Sequence, residues 1–220
     1  MPGWHNKLND MTDHSERLIE AWKGKFGNEY ISRNRVSSEG LHARTRLWAE
    51  ILQTIQGGKP ESILEVGANI GGNLMALRQL TNAELFAVEP NPQARQEMAD
   101  TGVLSAANIR EGHAAAIELD DASVDFAFTC GVLIHVHPDE LLASCREIHR
   151  VSSRYIACVE YFADQPETIK YQGETGMLFK RDFGAYWLEH FPDLKPMGHG
   201  FSWKPISGLD NMNWWIFEKP

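Results

Sequence analysis

The sequence predicts a single α/β domain on a mainly parallel, twisted sheet, with helices on both faces, an N-terminal helical cap and an antiparallel C-terminal addition. Three observations carry this. Short apolar runs alternate with helical stretches from Ser62 to Val159, and such alternation is the mark of a parallel sheet closed by helical crossovers. The segment SILEVGANIGGNLMAL places a glycine-rich turn, Gly67 to Gly72, between a strand and a helix. Finally, 220 residues at 43% hydrophobic content bury one full core and require no second.

Thr12 and Asp13 are possible caps of a first helix through Leu18, Ile19 and Trp22, which ends near Gly24 or Gly27. FGNEYISRN follows as a loop or short helix. A longer helix runs from about Leu41 through Leu47, Trp48, Ile51, Leu52 and Ile55, and stops at Gly57 and Gly58. Ser62 to Val66 is the first strand, Gly72 to Leu80 a helix, Glu84 to Val88 a strand and Asn91 to Asp100 a helix. A third strand is expected just before Asn108 to Arg110. Val124 to Cys130 reads as a buried strand, Pro138 to Val151 as a helix with Pro in its first turn, and Tyr155 to Val159 as a fifth strand. Residues 160 to 181 break the alternation and are long for a connection, which is the behaviour of a lid. Asp182 to His190 is helical, Gly200 to Trp203 and Asn213 to Phe217 are strands, and Trp203, Trp214 and Trp215 are expected in the core or an interface. Residues 1–58 are thus a helical cap, 59–160 the core and 161–220 a lid with C-terminal strands.

The formal charge of −9 argues against a nucleic-acid partner, whose phosphates want clustered Lys and Arg. A small molecule is the expected partner, and the chain is expected to work as a monomer or homodimer. No apolar run is long enough to span a membrane and the first residues lack a signal-peptide pattern, so the expected location is cytoplasmic. Cys130, Cys145 and Cys158 form no C-x-x-C pair, and the nine histidines show no metal-ligand helix spacing, so no metal is expected.

Gly67 ends a strand and Gly71-Gly72 opens a helix, where missing side chains let a ligand approach backbone N–H groups and the helix N-terminus. Glu89 ends the second strand, about 20 residues on, as a carboxylate suits two ribose hydroxyls. Asn69 stands where G-x-G-x-x-G has its middle glycine, so a nucleoside without pyrophosphate fits better than a dinucleotide.

On these residues the chain resembles the class I S-adenosylmethionine-dependent methyltransferases, with Glu65, Gly67 and Gly71 in the place of E-x-G-x-x-x-G and Glu89 as the ribose acid. The resemblance implies a Rossmann-like, seven-stranded sheet and S-adenosylmethionine as cofactor. It also implies cofactor contacts from Asn69, Asn73 and Pro90 around the turn and acid, and from Cys130 and Gly131 at the end of the fourth strand. His113 stands where that family commonly has Asp beside the adenine, followed by Ala114. FGNEYISRN, GVLIHVHPDEL, GMLFKRDFG and WWIFEK further resemble the pseudaminic acid biosynthesis-associated methylases, which implies a link to sugar or glycan precursors.

Methyl transfer needs mainly alignment, with a base where the acceptor must lose a proton. His135, five residues past Cys130, is the expected base, with Tyr30 as a second catalytic candidate. His137 is expected to start the next helix. Arg33 and Asn34 are expected on the cofactor carboxylate, and Glu160, Tyr161, Tyr171 and Arg181, with Tyr30 and His135, at the acceptor, an O or N atom of a small polar metabolite. A nicotinamide-dependent oxidoreductase and a non-catalytic cofactor-binding subunit are the alternatives.

Overall fold

The structure, a computed structural model, describes residues 15–220. The caps expected at Thr12 and Asp13 lie outside the described residues. Residues 15–23 form helix α1 and Lys25–Arg33 helix α2, so FGNEYISRN is largely helical. The two meet at a tight corner: a Cβ on Gly27 would overlap the Trp22 carbonyl, which requires glycine there. Helix α3, Ser38–Gln53, starts at Ser37, whose hydroxyl accepts from the Gly40 N–H. Its buried face carries Ala43, Leu47, Trp48 and Ile51 at helical spacing.

Strands β1 (Ser62–Val66), β2 (Glu84–Val88), β3 (Ile109–Arg110), β4 (Val124–Cys130) and β5 (Ser152–Glu160) alternate with helices α4 (Gly72–Arg78), α5 (Pro92–Thr101) and α6 (Pro138–Val151). A hairpin of β6 (Glu167–Tyr171) and β7 (Glu174–Lys180) precedes helix α7 (Phe183–His190), strand β8 (Lys195–Ser202), helix α8 (Lys204–Ser207) and strand β9 (Met212–Glu218). The main sheet has the order β3-β2-β1-β4-β5-β9-β8, parallel from β3 to β5, with β9 antiparallel to both β5 and β8. The expected mainly parallel sheet with an antiparallel C-terminal strand is therefore present, and it has seven strands.

Alternation along the strands feeds two cores. Leu64, Val66, Ala127, Ile156 and Cys158 pack with α6 and α7 on one face. Ile63, Phe126, Phe128, Ala157 and Val159 pack with α3, α4 and α5 on the other. Residues 160–181, expected to behave as a lid, hold the β6–β7 hairpin, whose Leu178 and Phe179 are buried. Trp214 is buried as expected, whereas Trp203 is 52% exposed, because it sits at the N-cap of α8 beyond the end of β8.

Candidate active site

Five parallel strands end on one side of the sheet, and the reversal of strand order between β1 and β4 opens a crevice there. A cavity of about 460 Å³ occupies it, roofed by α1 and α2 and by the hairpin. That is the size of a small-molecule site.

The β1–α4 turn is built by backbone strain and packing. Gly67 and Gly71 have φ of 75° and 78°, and Asn69 has φ of 49°. A Cβ on Gly67 would stand 2.6 Å from Val132 Cγ2, and one on Gly71 2.9 Å from Met98 Cγ. The missing side chains therefore make room for neighbouring side chains rather than for a ligand, and Gly71 lies beneath the turn, off the cavity wall. The Asn69 N–H donates to Glu89 Oε2 at 2.7 Å, and the Asn91 N–H to Glu89 Oε1 at 2.8 Å. Each carboxylate oxygen thus keeps lone-pair capacity toward the cavity that Glu89 lines. Burial pushes the Glu89 carboxyl up to about 7, against the pull of these N–H donors.

Asn91 joins this acid to the cap. Its Oδ1 accepts from the Ala94 N–H as the N-cap of α5, while its Nδ2 donates to the Trp22 carbonyl at 2.9 Å and to Asn28 Oδ1 at 2.8 Å. In the sequence, position 91 is read only as the start of a helix.

Beneath the turn, Glu65 is 1% exposed and Asn73 Nδ2 donates to its Oε1 at 2.6 Å. Trp48 Nε1 in turn donates to Asn73 Oδ1 at 3.1 Å. Glu65 Oε2 is buried without a partner, and burial pushes this carboxyl up to about 8. Among the described residues six buried side-chain N or O atoms lack a partner, and four of them, on Trp22, Glu65, Ser144 and Ser202, belong to residues lining this cavity. Such orphans are costly unless something occupies the space they border.

Arg44 also lines the cavity, close to Gly72 at the start of α4. Sequence reading missed it. The signal was available, since Arg44 precedes Leu47, Trp48 and Ile51 by three, four and seven residues and so shares the buried stripe of α3. Arg33 lines the cavity from its rim and pairs with Glu29 at 3.9 Å, while Asn34 Nδ2 donates to the Tyr30 carbonyl. Pro90, His113, Ala114, Cys130 and Gly131 all border the cavity.

The wall above the end of β4 is held by Glu160. Its Oε1 accepts from Thr129 Oγ1 at 2.8 Å and from the N–H groups of Val132 and Leu133. With 0% exposure and no place on the cavity wall, Glu160 positions the turn and does not meet an acceptor, which corrects the expected role. The turn Leu133–His135 presents His135, whose Nδ1 lies 2.6 Å from the Met177 carbonyl. A carbonyl only accepts, so Nδ1 carries the proton and Nε2 the lone pair. Burial lowers the His135 pKa to about 4, so the imidazole of the free protein is neutral near neutral pH and its Nε2 lone pair is available. His137 caps α6 as expected.

Tyr30, Tyr161 and Tyr171 line the same space. Tyr161 Oη donates to Asp210 Oδ2 at 3.2 Å, and burial pushes the Tyr30 phenol up to about 12. Arg181 lies off the wall, its guanidinium 4.8 Å over the Tyr186 ring, so the expected acceptor contact is replaced by a stacking one.

Residues 63–154 match the family described as methyltransferase domain. This stretch is similar to methyltransferase domains. It spans β1 to the start of β5, the segment that builds the turn, Glu89 and the β4 wall. No curated protein matches the chain. Among solved structures, a SAM-dependent methyltransferase of Leishmania major is 13% identical, with 91% of this chain and 85% of that one covered and a TM-score of 0.69. The 1,6-didemethyltoxoflavin-N1-methyltransferase of Burkholderia thailandensis, with bound substrate and S-adenosylhomocysteine, is 17% identical over 100% of this chain and 91% of that one, at a TM-score of 0.63. Magnesium protoporphyrin IX methyltransferase of Synechocystis, with bound S-adenosylhomocysteine, is 11% identical over 93% and 99%, at 0.67. These likenesses show the fold. The match over residues 63–154 supports an enzyme, and the Burkholderia and Synechocystis structures hold S-adenosylhomocysteine, the product form of S-adenosylmethionine. The unpartnered Glu65 carboxylate oxygen, Arg44 and the two-oxygen face of Glu89 are groups that suit the ammonium, carboxylate and ribose of that molecule. No helix among the described residues is long and apolar enough to cross a membrane.

Proposed function

We propose that the chain transfers a methyl group from S-adenosylmethionine to an oxygen or nitrogen of a small-molecule acceptor. In this reading Glu89, Glu65 and Arg44 hold the donor and His135 receives the acceptor's proton. The observation that carries it is the buried, unpartnered Glu65 Oε2 on the same cavity as Arg44 and Glu89. Glu65 accepts from the ammonium, Arg44 pairs with the carboxylate and Glu89 takes the two ribose hydroxyls. His113 and Ala114 border the end of the cavity that suits the adenine. The bound donor supplies an activated methyl group on a sulfonium. His135 Nε2 accepts a hydrogen bond from the nucleophile and takes its proton, while Glu160 keeps the turn that carries His135 in place.

Calorimetric titration with S-adenosylhomocysteine tests the donor half. Tight binding weakened by Glu65→Gln and Arg44→Met supports it, whereas folded protein that shows no binding at millimolar ligand overturns it. NAD in parallel separates the oxidoreductase alternative, for which Asn69 already crowds a pyrophosphate. A glycan-precursor acceptor, as the resemblance to the pseudaminic acid-associated methylases implies, is the rival to the acceptor class argued below. The reading places the enzyme in the cytoplasm as a monomer or homodimer, without a nucleic-acid partner, in keeping with its acidic charge of −9.

A further inference from the structure

Beyond the donor groups the cavity is walled by aromatic rings from four separate segments: Trp22 of α1, Tyr30 of α2, His135 after β4 and Tyr171 at the end of β6. Trp22 lies 5.2 Å from Tyr30 and 4.9 Å from His135 between ring centroids, and His135 lies 5.3 Å from Tyr171. These pairs meet at interplanar angles of 78°, 59° and 54°, so none is stacked and ring faces remain for a guest.

Besides the Tyr30 and Tyr171 hydroxyls, two ring nitrogens stand on this wall with hydrogen-bonding capacity left over. Trp22 Nε1 is a buried donor without a partner. His135 Nε2 is a lone pair, because the Met177 carbonyl holds the proton on Nδ1. Burial keeps the Tyr30 phenol protonated and the imidazole neutral. Asp210, the carboxylate at this end, is already engaged by Tyr161 Oη and by Lys204 Nζ at 2.9 Å. A pyranose would place hydroxyls around its whole edge and call for free charged or amide partners. The four ring faces, with the Gln172 amide beside Tyr171 on the cavity wall, suit a flat ring that carries its polar groups on its edge.

We propose that the acceptor is an uncharged, planar aromatic or heteroaromatic molecule bearing an O–H or N–H, seated among Trp22, Tyr30, His135 and Tyr171 with that group against His135 Nε2. Trp22 Nε1 donates to a second polar atom on the guest's edge. On transfer the new bond forms from the guest's oxygen or nitrogen to the methyl carbon. The carbon–sulfur bond breaks with its electron pair left on sulfur, and the guest's proton passes to His135 Nε2. The inference rests on the donor reading above.

The test titrates naphthol, hydroxyquinoline and N-acetylglucosamine into protein saturated with S-adenosylhomocysteine, following tryptophan fluorescence. Saturable binding of the planar probes is expected, weakened about tenfold by Tyr171→Ala. Tyr171→Phe should retain it, and S-adenosylhomocysteine affinity should hold in both variants. Failure of S-adenosylhomocysteine to bind sinks the donor reading and this proposal together. Intact S-adenosylhomocysteine binding with no planar-probe binding, with preference for the sugar, or with Tyr171→Ala leaving probe affinity unchanged overturns the acceptor class alone.

Discussion

Glu89 works in two directions at once. It holds the Asn69 and Asn91 N–H groups and, in the proposed function, two ribose hydroxyls. Replacing it with Ala should weaken S-adenosylhomocysteine binding by about 1.5 to 3 kcal/mol, as for hydrogen bonds to a charged group. Calorimetry reads this directly, and an unchanged affinity would remove the acid from the donor site. Glu65 sets a pH dependence. Its carboxyl is pushed up to about 8 in the free protein, so near neutrality it is largely protonated, and pairing with an ammonium requires the proton to leave. Affinity should therefore rise with pH from about 6 until Glu65 is ionised in the free protein, and Glu65→Gln should flatten that rise. The same sign governs folding: acids pushed up from 4.5 to about 8 and about 7 make the folded chain bind more protons than the unfolded one. This contribution to stability is complete below 4.5 and is lost as pH rises through 7 and 8. A urea-unfolding series in which Glu65→Gln leaves that slope unchanged would contradict it.

At the scale of elements, the β1–α4 turn needs glycine for two reasons that can be separated. Gly67 has φ of 75° and a Cβ there meets Val132, whereas Gly102 has φ of 67° with open space around it. Gly102→Ala should cost only the left-handed backbone penalty of about 1–2 kcal/mol, and Gly67→Ala should cost more by the clash. Equal losses in urea melts would show that Val132 moves aside freely. The turn after β4 depends on Glu160 in the same way. Glu160→Ala frees the N–H groups of Val132 and Leu133, and a misplaced His135 should lower kcat by about 100-fold with a smaller effect on S-adenosylhomocysteine binding. A kcat within a factor of about two of the parent would separate His135 positioning from Glu160.

For the whole molecule, one cavity joins the sheet, the helical cap and the hairpin, so a ligand there should stabilise all three together. S-adenosylhomocysteine at 100 times its Kd adds about 2.7 kcal/mol, which for a chain of this size raises Tm by about 5 to 10 °C, measurable by calorimetry as one transition. Two transitions, with only one shifted, would show that cap and core unfold separately. The parallel sheet, the turn at Gly67 and the acid at Glu89 were legible in the sequence, because strand alternation, backbone freedom at glycine and an acid at a strand end are local properties. The β6–β7 hairpin escaped because its pattern is mixed and its buried Leu178 and Phe179 have meaning only against the core they cover. Glu160 and Arg181 were drawn toward the acceptor by their place at the end of β5 and just after β7, yet one is consumed by the turn after β4 and the other by Tyr186. By itself, then, the sequence determined the parallel sheet and the glycine turn between β1 and α4, both written within short stretches of chain. Only the tertiary structure decided that Arg44 and the orphaned Glu65 oxygen share one cavity, that His135 is neutral, and that rings from four segments line that same cavity. Burial and unmet hydrogen bonds arise where distant segments pack, and no short stretch of chain contains them.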